Sequence, residues 1–460
     1  MPWPDRPLLY EINTLPWLHL LSQRHQRTIT LDTVPPNEWD RIAALGCDAV
    51  WLMGVWQRSE AGAAIARSHP DLQAGFRQAL PDLAPTDIGG SPYSVAGYWV
   101  DPELGGNQAL RSARRQLAER GLRLLLDFVP NHTAPDHPWV RTNPDCYLQP
   151  LRHGRDPYFP PWTDTLQLNA FSPVYRDAAI QTLNDIAAMA DGVRCDMAML
   201  LLNRVFSTTW NVLAPPTDFW ETVIPQVRAA HPDFLFIAEA YWDLEAALHA
   251  QGFHYCYDKR LYDRLLHDTP AGIRAHLRVD LAYQSRLIRF LENHDEPRAA
   301  AAFPPGRHRA AAIAAMTLPG AMLLHDRQLH GWQRRLPVQL RRYPNDTLDP
   351  SDSDLYRFYR ALCAARPRSS RWQLLDTSNP SLLAWSWDNG PLVIVNFSSS
   401  TAEGRVAVKG AAGRNWILDD PLEGIAYERK GDEMVEPGLW VRLAPWAAHL
   451  FNLEATPWKE

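Results

Sequence analysis

Three carboxylates stand at the ends of short apolar runs far apart in the chain. Asp196 closes GVRCD (192–196), Glu239 lies in FLFIAEA (234–240) and Asp295 closes LIRFLENHD (287–295). In a parallel barrel such strand ends converge on one mouth. Three acids there suit cleavage of a glycosidic bond, which breaks through an oxocarbenium-like state. One carboxylic acid protonates the leaving oxygen while a second carboxylate stands on the other face of the sugar. The first needs a raised pKa and the second a lowered one. Arg194 precedes Asp196 by two residues. In a strand the two side chains then point the same way, and the guanidinium can hold the carboxylate ionised. His132, just past the run LRLLLDF, and His294, beside Asp295, are suited to donating hydrogen bonds to sugar hydroxyls. Asp127 reads as a buried support that orients Arg194 or Asn131. Trp56, Tyr241 and Trp242 are candidate sugar platforms, because aromatic faces stack on the apolar faces of sugar rings. Packing in the core or rim is the equal alternative for them.

The elements that must position these residues follow from the apolar runs. LLYEIN (8–13), DAVWLM (48–53), LRLLLDF (122–128), GVRCD, FLFIAEA, HYCYD (254–258), LIRFLENHD and AMLLH (321–325) make eight candidate strands. Helical patterns lie between most of them. In QALRSARRQLAERG, for instance, Leu110, Ala113 and Leu117 share one face, as a helix covering a sheet requires. Strand–helix alternation repeated eight times predicts an α/β chain built on a (β/α)8 TIM barrel. A doubly wound open sheet is the runner-up, but no GxGxxG follows the first strand. Two excursions interrupt the barrel, at 54–107 and at 129–172, and loops this long are uncommon unless functional. After the eighth run, short alternating segments such as SLLAWSW and PLVIVNF predict an antiparallel β-sandwich. The domains expected are therefore 1–128 with 173–367 (barrel), 129–172 (inserted subdomain) and 368–460 (C-terminal β domain).

Four of the strand-end segments together resemble the motifs of the α-amylase superfamily of glycoside hydrolases. They are DFVPNH (127–132), GVRCD (192–196), FIAEA (236–240) and LENHDEPR (291–298). SPYSVAGYWVDPELGG (91–106) is similar to the family's segment before its second helix. The resemblance implies that Asp196 is the nucleophile, Glu239 the acid/base and Asp295 a third carboxylate that grips sugar hydroxyls. It further implies that His132, Arg194 and His294 bind the sugar at the cleavage point and that Tyr93 stacks beneath it. The function implied is retaining hydrolysis of α-glucosidic bonds in malto-oligosaccharides or related α-glucosides, by double displacement. Transglycosylation and disaccharide isomerisation in the same superfamily are alternatives, and a silent glucan-binding or protein-binding member is one of another class. Asn131 matches a calcium-ligating position of many amylases, but the other ligands are not evident and no DxDxDG-type loop follows the first strand. No cofactor and no metal are therefore expected. The family often has Gly-Gln-Glu after its eighth strand, where this chain has Arg327, Gln328 and Leu329. Many amylases have Lys-His after the nucleophile, where Met197, Ala198, Met199 and Leu200 stand here, suggesting an unusual acceptor-side pocket.

The bulk composition excludes other classes. The net charge of −6 is spread over interspersed acids and bases, with no basic run for a nucleic-acid surface. No stretch approaches the roughly 18 apolar residues of a membrane helix. The opening MPWPDRPLLYEINTLPWL carries acids and prolines where a secretory signal has a basic start and apolar core. Five cysteines form no CxxC pair, and their odd number precludes a complete intrachain disulfide set, so a cytoplasmic location is expected.

Overall fold

The computed structural model describes residues 3–345, 353–367 and 371–456. Eight strands, β1 (Leu8–Asn13), β2 (Ala49–Met53), β3 (Arg123–Phe128), β4 (Gly192–Cys195), β5 (Leu235–Ala238), β6 (Tyr255–Tyr257), β7 (Leu287–Arg289) and β8 (Ala321–His325), close a barrel in chain order. Every neighbouring pair is parallel. The strands are covered on both sides, so their sequences run apolar without alternation. Several polar exceptions within them are deeply buried: Glu11 is fully enclosed, and Asp127, Arg194 and Arg289 are at most 2% exposed. Gly192 opens β4 where a Cβ would lie 2.7 Å from side-chain atoms of both Leu125 and Leu235, so only glycine lets the neighbouring strands close there.

The helix Gly106–Ala118 buries Ala109, Leu110, Ala113 and Leu117 on the barrel, the face its spacing predicts. The segment DRLLHDTPAGIRAHL, which reads as one helical pattern, forms parts of two helices, Lys259–His267 and Pro270–Leu277. The residue before a proline avoids helical backbone, and Thr269 there is extended and caps Gly272 N–H instead. The helix Thr14–His25, directly after β1, has no clear one-sided pattern because Thr14 through Leu18 are all buried.

The first excursion is more ordered than a loop. Trp56–Arg58 pairs with Val95–Val100, and helices Glu60–Ser68 and Pro70–Ala79 lie between. Phe76, Ala79, Leu80, Ile88 and Leu340 give this region a small core of its own. In the second excursion His132–Thr133 pairs with Leu166–Gln167, around the short helix Trp139–Thr142.

The C-terminal part holds β9 (Trp372–Leu375), β10 (Leu382–Trp387), β11 (Leu392–Asn396), β12 (Ala402–Val406), β13 (Asn415–Asp420), β14 (Ile425–Lys430), β15 (Leu439–Leu443) and β16 (Ala448–Thr456). Six of them form one antiparallel sheet in the order β9-β10-β11-β16-β13-β14, and β12 pairs with β15 in a second. Leu382, Ala384, Ile394, Val406, Val441 and Leu443 fill the space between the two layers. The sheet is tied to the barrel by Trp385 and Trp387, whose Nε1 atoms donate to Thr317 Oγ1 (3.2 Å) and O (2.8 Å). The expected junction at 367/368 abuts residues 368–370, which lie outside the described residues. No helix among the described residues is long and apolar enough to cross a membrane.

Candidate active site

At the C-terminal mouth of the barrel one guanidinium sits between three carboxylates. Arg194, 1% exposed, donates from Nη1 to Asp196 Oδ1 at 2.7 Å and lies 2.8 Å through Nη2 from Glu239 Oε2. Asp127 Oδ1 is 3.6 Å from Nη1. The pairing follows from strand geometry: residues 194 and 196 point the same way, and the β4–β5 register sets Cys195 against Ala238, just before Glu239. Glu239 Oε2 also accepts from Met197 N (2.6 Å) and Oε1 from the Tyr241 hydroxyl (2.8 Å). Met197 has the left-handed φ of 43° that turns its N–H toward this acid. Burial pushes the Glu239 carboxyl up to about 7, against the pull of Arg194. Burial lifts Asp196 as well, but there Arg194 pulls back by both its charge and its hydrogen bond. Asp127 is raised to about 6 by burial. It accepts from Trp51 Nε1 (3.3 Å) and Gly54 N (3.2 Å), which places it as a support beneath the guanidinium.

The third acid, Asp295, faces solvent, its side chain 46% exposed. Its Oδ2 is 3.0 Å from His294 Nε2, which also lies 2.8 Å from the Tyr93 hydroxyl. Desolvation at the mouth works upward on Asp295, but the charge and hydrogen bond of His294 take it down to about 2. The rings of Tyr93 and His294 stack at 5.3 Å, and Arg194 lies over the Tyr93 face at 5.1 Å. His294 Nδ1 meets Glu11 Oε1 at 2.5 Å. Glu11 and Trp51 are contacts of the site that sequence reasoning did not assign, and Tyr241, read as a candidate sugar platform, donates its hydroxyl to Glu239. An acid in the middle of β1, a strand of otherwise apolar and amide residues, is the signal that marked Glu11. His132 is buried with its ring 5.1 Å from Trp162, and burial lowers it to about 4, so it is a neutral imidazole near pH 7.

A family description, alpha amylase, catalytic domain, matches residues 37–177. Alpha-amylase MalA of Haloarcula japonica is 24% identical over 373 residues, covering 77% of this chain and 48% of its own length. An alpha-1,4-glucan:maltose-1-phosphate maltosyltransferase of Rhodospirillum rubrum is 30% identical over 210 residues, 44% of this chain and 27% of that protein. The chain thus spans about half the length of the first relative and about a quarter of the second. Among solved structures, a noncanonic maltogenic alpha-amylase, AmyB, of Thermotoga neapolitana superposes with a TM-score of 0.71 at 18% identity, covering 98% of this chain and 99% of that one. Residues 37–177 thus resemble the α-amylase catalytic domain, and the fold is the one that α-amylase structures have.

Two expectations drawn from the resemblance and the sequence need correction or a test of fit. Trp56 is no platform. It is 1% exposed, its ring packs edge-on to Tyr98 and its Nε1 donates to the Asp127 carbonyl at 2.7 Å. Its place after β2 starts the hairpin with Val95–Val100, which turns it inward. Trp242, by contrast, is half-buried at the mouth beside Tyr241, with Tyr158 edge-on at 4.8 Å. The second matter is calcium at Asn131. Gln167, fully buried, places Nε2 within 2.8 Å of Asn131 O, 3.0 Å of Asn131 Oδ1 and 3.0 Å of Leu168 O. Asn131 Nδ2 returns a bond to Gln167 Oε1 at 3.2 Å. These residues do not fit a calcium ion: an amide nitrogen already satisfies the oxygens that would ligate it. No cluster of three His, Cys, Asp or Glu suited to a metal occurs among the described residues.

Proposed function

We propose that the chain cleaves or transfers α-linked glucosyl units with retention of configuration. The observation that carries this reading is the Arg194 fork, which reaches Asp196 with one nitrogen and Glu239 with the other. A pair of carboxyls roughly 5 to 5.5 Å apart marks retention, and a shared guanidinium supports so close a pair. Asp196, given a hydrogen bond by Arg194, attacks the anomeric carbon, while Glu239 protonates the departing oxygen. The glycosyl–Asp196 ester is then opened by a water or sugar hydroxyl whose proton passes to the Glu239 carboxylate. Asp295, His132, His294 and Tyr93 grip and stack the sugar, and Trp242 borders the mouth.

The acceptor side has room for a second sugar. A pocket of about 460 Å³ beside Glu239 is lined by Phe159, Met197, Tyr241 and Trp242 together with charged residues such as Lys259 and Glu296. Lys259 is already committed, 3.3 Å from Glu296 and paired with Asp263. Phe159, Tyr241 and Trp242 give a second sugar ring faces to stack on. The maltosyltransferase relative is consistent with transfer.

The test is product analysis on maltoheptaose. Products longer than the input establish transfer, and only shorter ones with the α-configuration establish retaining hydrolysis. An intact substrate, or release of β-anomers, overturns the reading. In the same reaction kcat/KM is expected to fall as pH rises through about 7, because Glu239 must carry its proton to the leaving oxygen.

Structural calcium is not part of this proposal, because Gln167 Nε2 stands among the oxygens of Asn131 and Leu168. The Tm is expected to move by less than about 2 °C on adding EDTA, below the shift that 1 kcal/mol gives a chain of this size. A larger fall, reversed by Ca²⁺, would sink the idea. The five cysteines, buried and unbonded, support a reducing cytoplasm as the compartment.

A further inference from the structure

We propose that Glu11 is a positioning residue that holds His294 as an imidazolium and, through it, fixes the Asp295 carboxylate at the barrel mouth. Both ring nitrogens of His294 face carboxylate oxygens: Nδ1 meets Glu11 Oε1 at 2.5 Å and Nε2 meets Asp295 Oδ2 at 3.0 Å. A carboxylate only accepts, and a neutral imidazole has a single N–H. Donation to both therefore requires the second proton. The neutral ring would turn a lone pair toward one of the two acids, with the Tyr93 hydroxyl at Nε2 as the neighbouring donor. Glu11 is fully enclosed in β1, and the imidazole is its hydrogen-bond partner. A buried carboxylate left without its cation costs several kcal/mol, so the same contact that charges His294 settles Glu11 inside the barrel.

The other charged or titratable groups around the ring are few. The Tyr93 hydroxyl touches Nε2, Asp127 acts on it from β3, and Arg194 sits beyond the Tyr93 ring. Trp51 presents an edge at 5.5 Å and brings no charge. Burial alone would strip the imidazole of its proton; Asp295 and Glu11 reverse this and hold it well above its ordinary range. The consequence falls on Asp295, the acid exposed at the mouth. Its orientation is set by an N–H that exists at working pH only because Glu11 lies on the far side of the ring.

The activity arm of the test rests on the glycosidase reading, whereas the spectroscopic arm does not. With ¹⁵N-histidine in the full chain, His294 is expected to show two protonated nitrogens at and above neutral pH. In Glu11→Gln one of them is lost near neutral pH. On maltoheptaose this variant is expected to lose roughly 10- to 100-fold in kcat, the scale of a misplaced reacting group, with a smaller change in KM. It should also show a decline as pH rises through the lowered His294 pKa, where the wild type shows none from this group. A neutral His294 in the wild type at about pH 7.5 overturns the proposal whether or not the variant folds. So does a Glu11→Gln protein that keeps both protons and the wild-type pH profile. If the wild type has no glycosidase activity, the imidazole signals still decide the matter.

Discussion

Asp196→Asn is expected to lower kcat on an α-glucan by roughly 10⁴-fold or more, in the range seen when a covalent nucleophile is removed. The amide is nearly isosteric, and its oxygen can keep the 2.7 Å contact with Arg194 Nη1. The fold and the Tm should therefore hardly change. What is lost is the negative charge opposite the oxocarbenium-like carbon and the ability to form the glycosyl ester. A second variant sharpens the test. Asp196→Ala opens space on that face, and added azide is expected to restore turnover, giving a glycosyl azide of inverted configuration because only one displacement remains. Asn-substituted protein within tenfold of wild type, or an azide product with retained configuration, would remove Asp196 from the proposed role.

The largest effect on stability is expected at Arg194→Met. The side chain fits a cation-free site in volume, but it leaves Asp196, Glu239 and Asp127 facing one another in the barrel with nothing between them. Breaking a buried ion cluster by removing one partner costs about 3 to 5 kcal/mol. The sign of the pH dependence is specific. Without Arg194 the three carboxyls keep the upward push of burial, so they hold protons in the folded state that they release on unfolding. Stability of such a protein falls as pH rises through the unfolded carboxylate range and beyond. The loss should thus be greatest near neutral pH and shrink toward about pH 5. Urea unfolding at both pH values reads this directly, and a penalty that grows on acidification would contradict it.

The barrel was legible because each strand is buried on both faces and shows as an apolar run, most of them with a polar residue at or near the mouth end. Each of β1 to β8 lies within one of the runs read from sequence. What periodicity missed has physical reasons. Helix Thr14–His25 is buried for most of its first two turns and so lacks a polar stripe. β14 reads IAYERK and is largely exposed; it lies at a sheet edge, where charges guard against further pairing. The three carboxylates of the mouth were visible as strand ends, and Arg194 and Asp127 as their supports, but the contacts made from the turns were not. Tyr241 and Met197 reach Glu239 through turns whose backbone no spacing rule foretells. Trp56 misled because an aromatic after a strand looks the same whether the hairpin turns it out or in.

The shared guanidinium also sets what a titration of this protein can mean. Because Arg194 contacts both acids, a proton arriving on Glu239 strengthens the hold of the arginine on Asp196, and a proton on Asp196 does the reverse. The two limbs of a pH–rate curve therefore belong to the cluster as a whole and to neither carboxyl alone. Neutralising either acid should displace both limbs at once, and the distance between the limbs measures how strongly the two protons exclude one another.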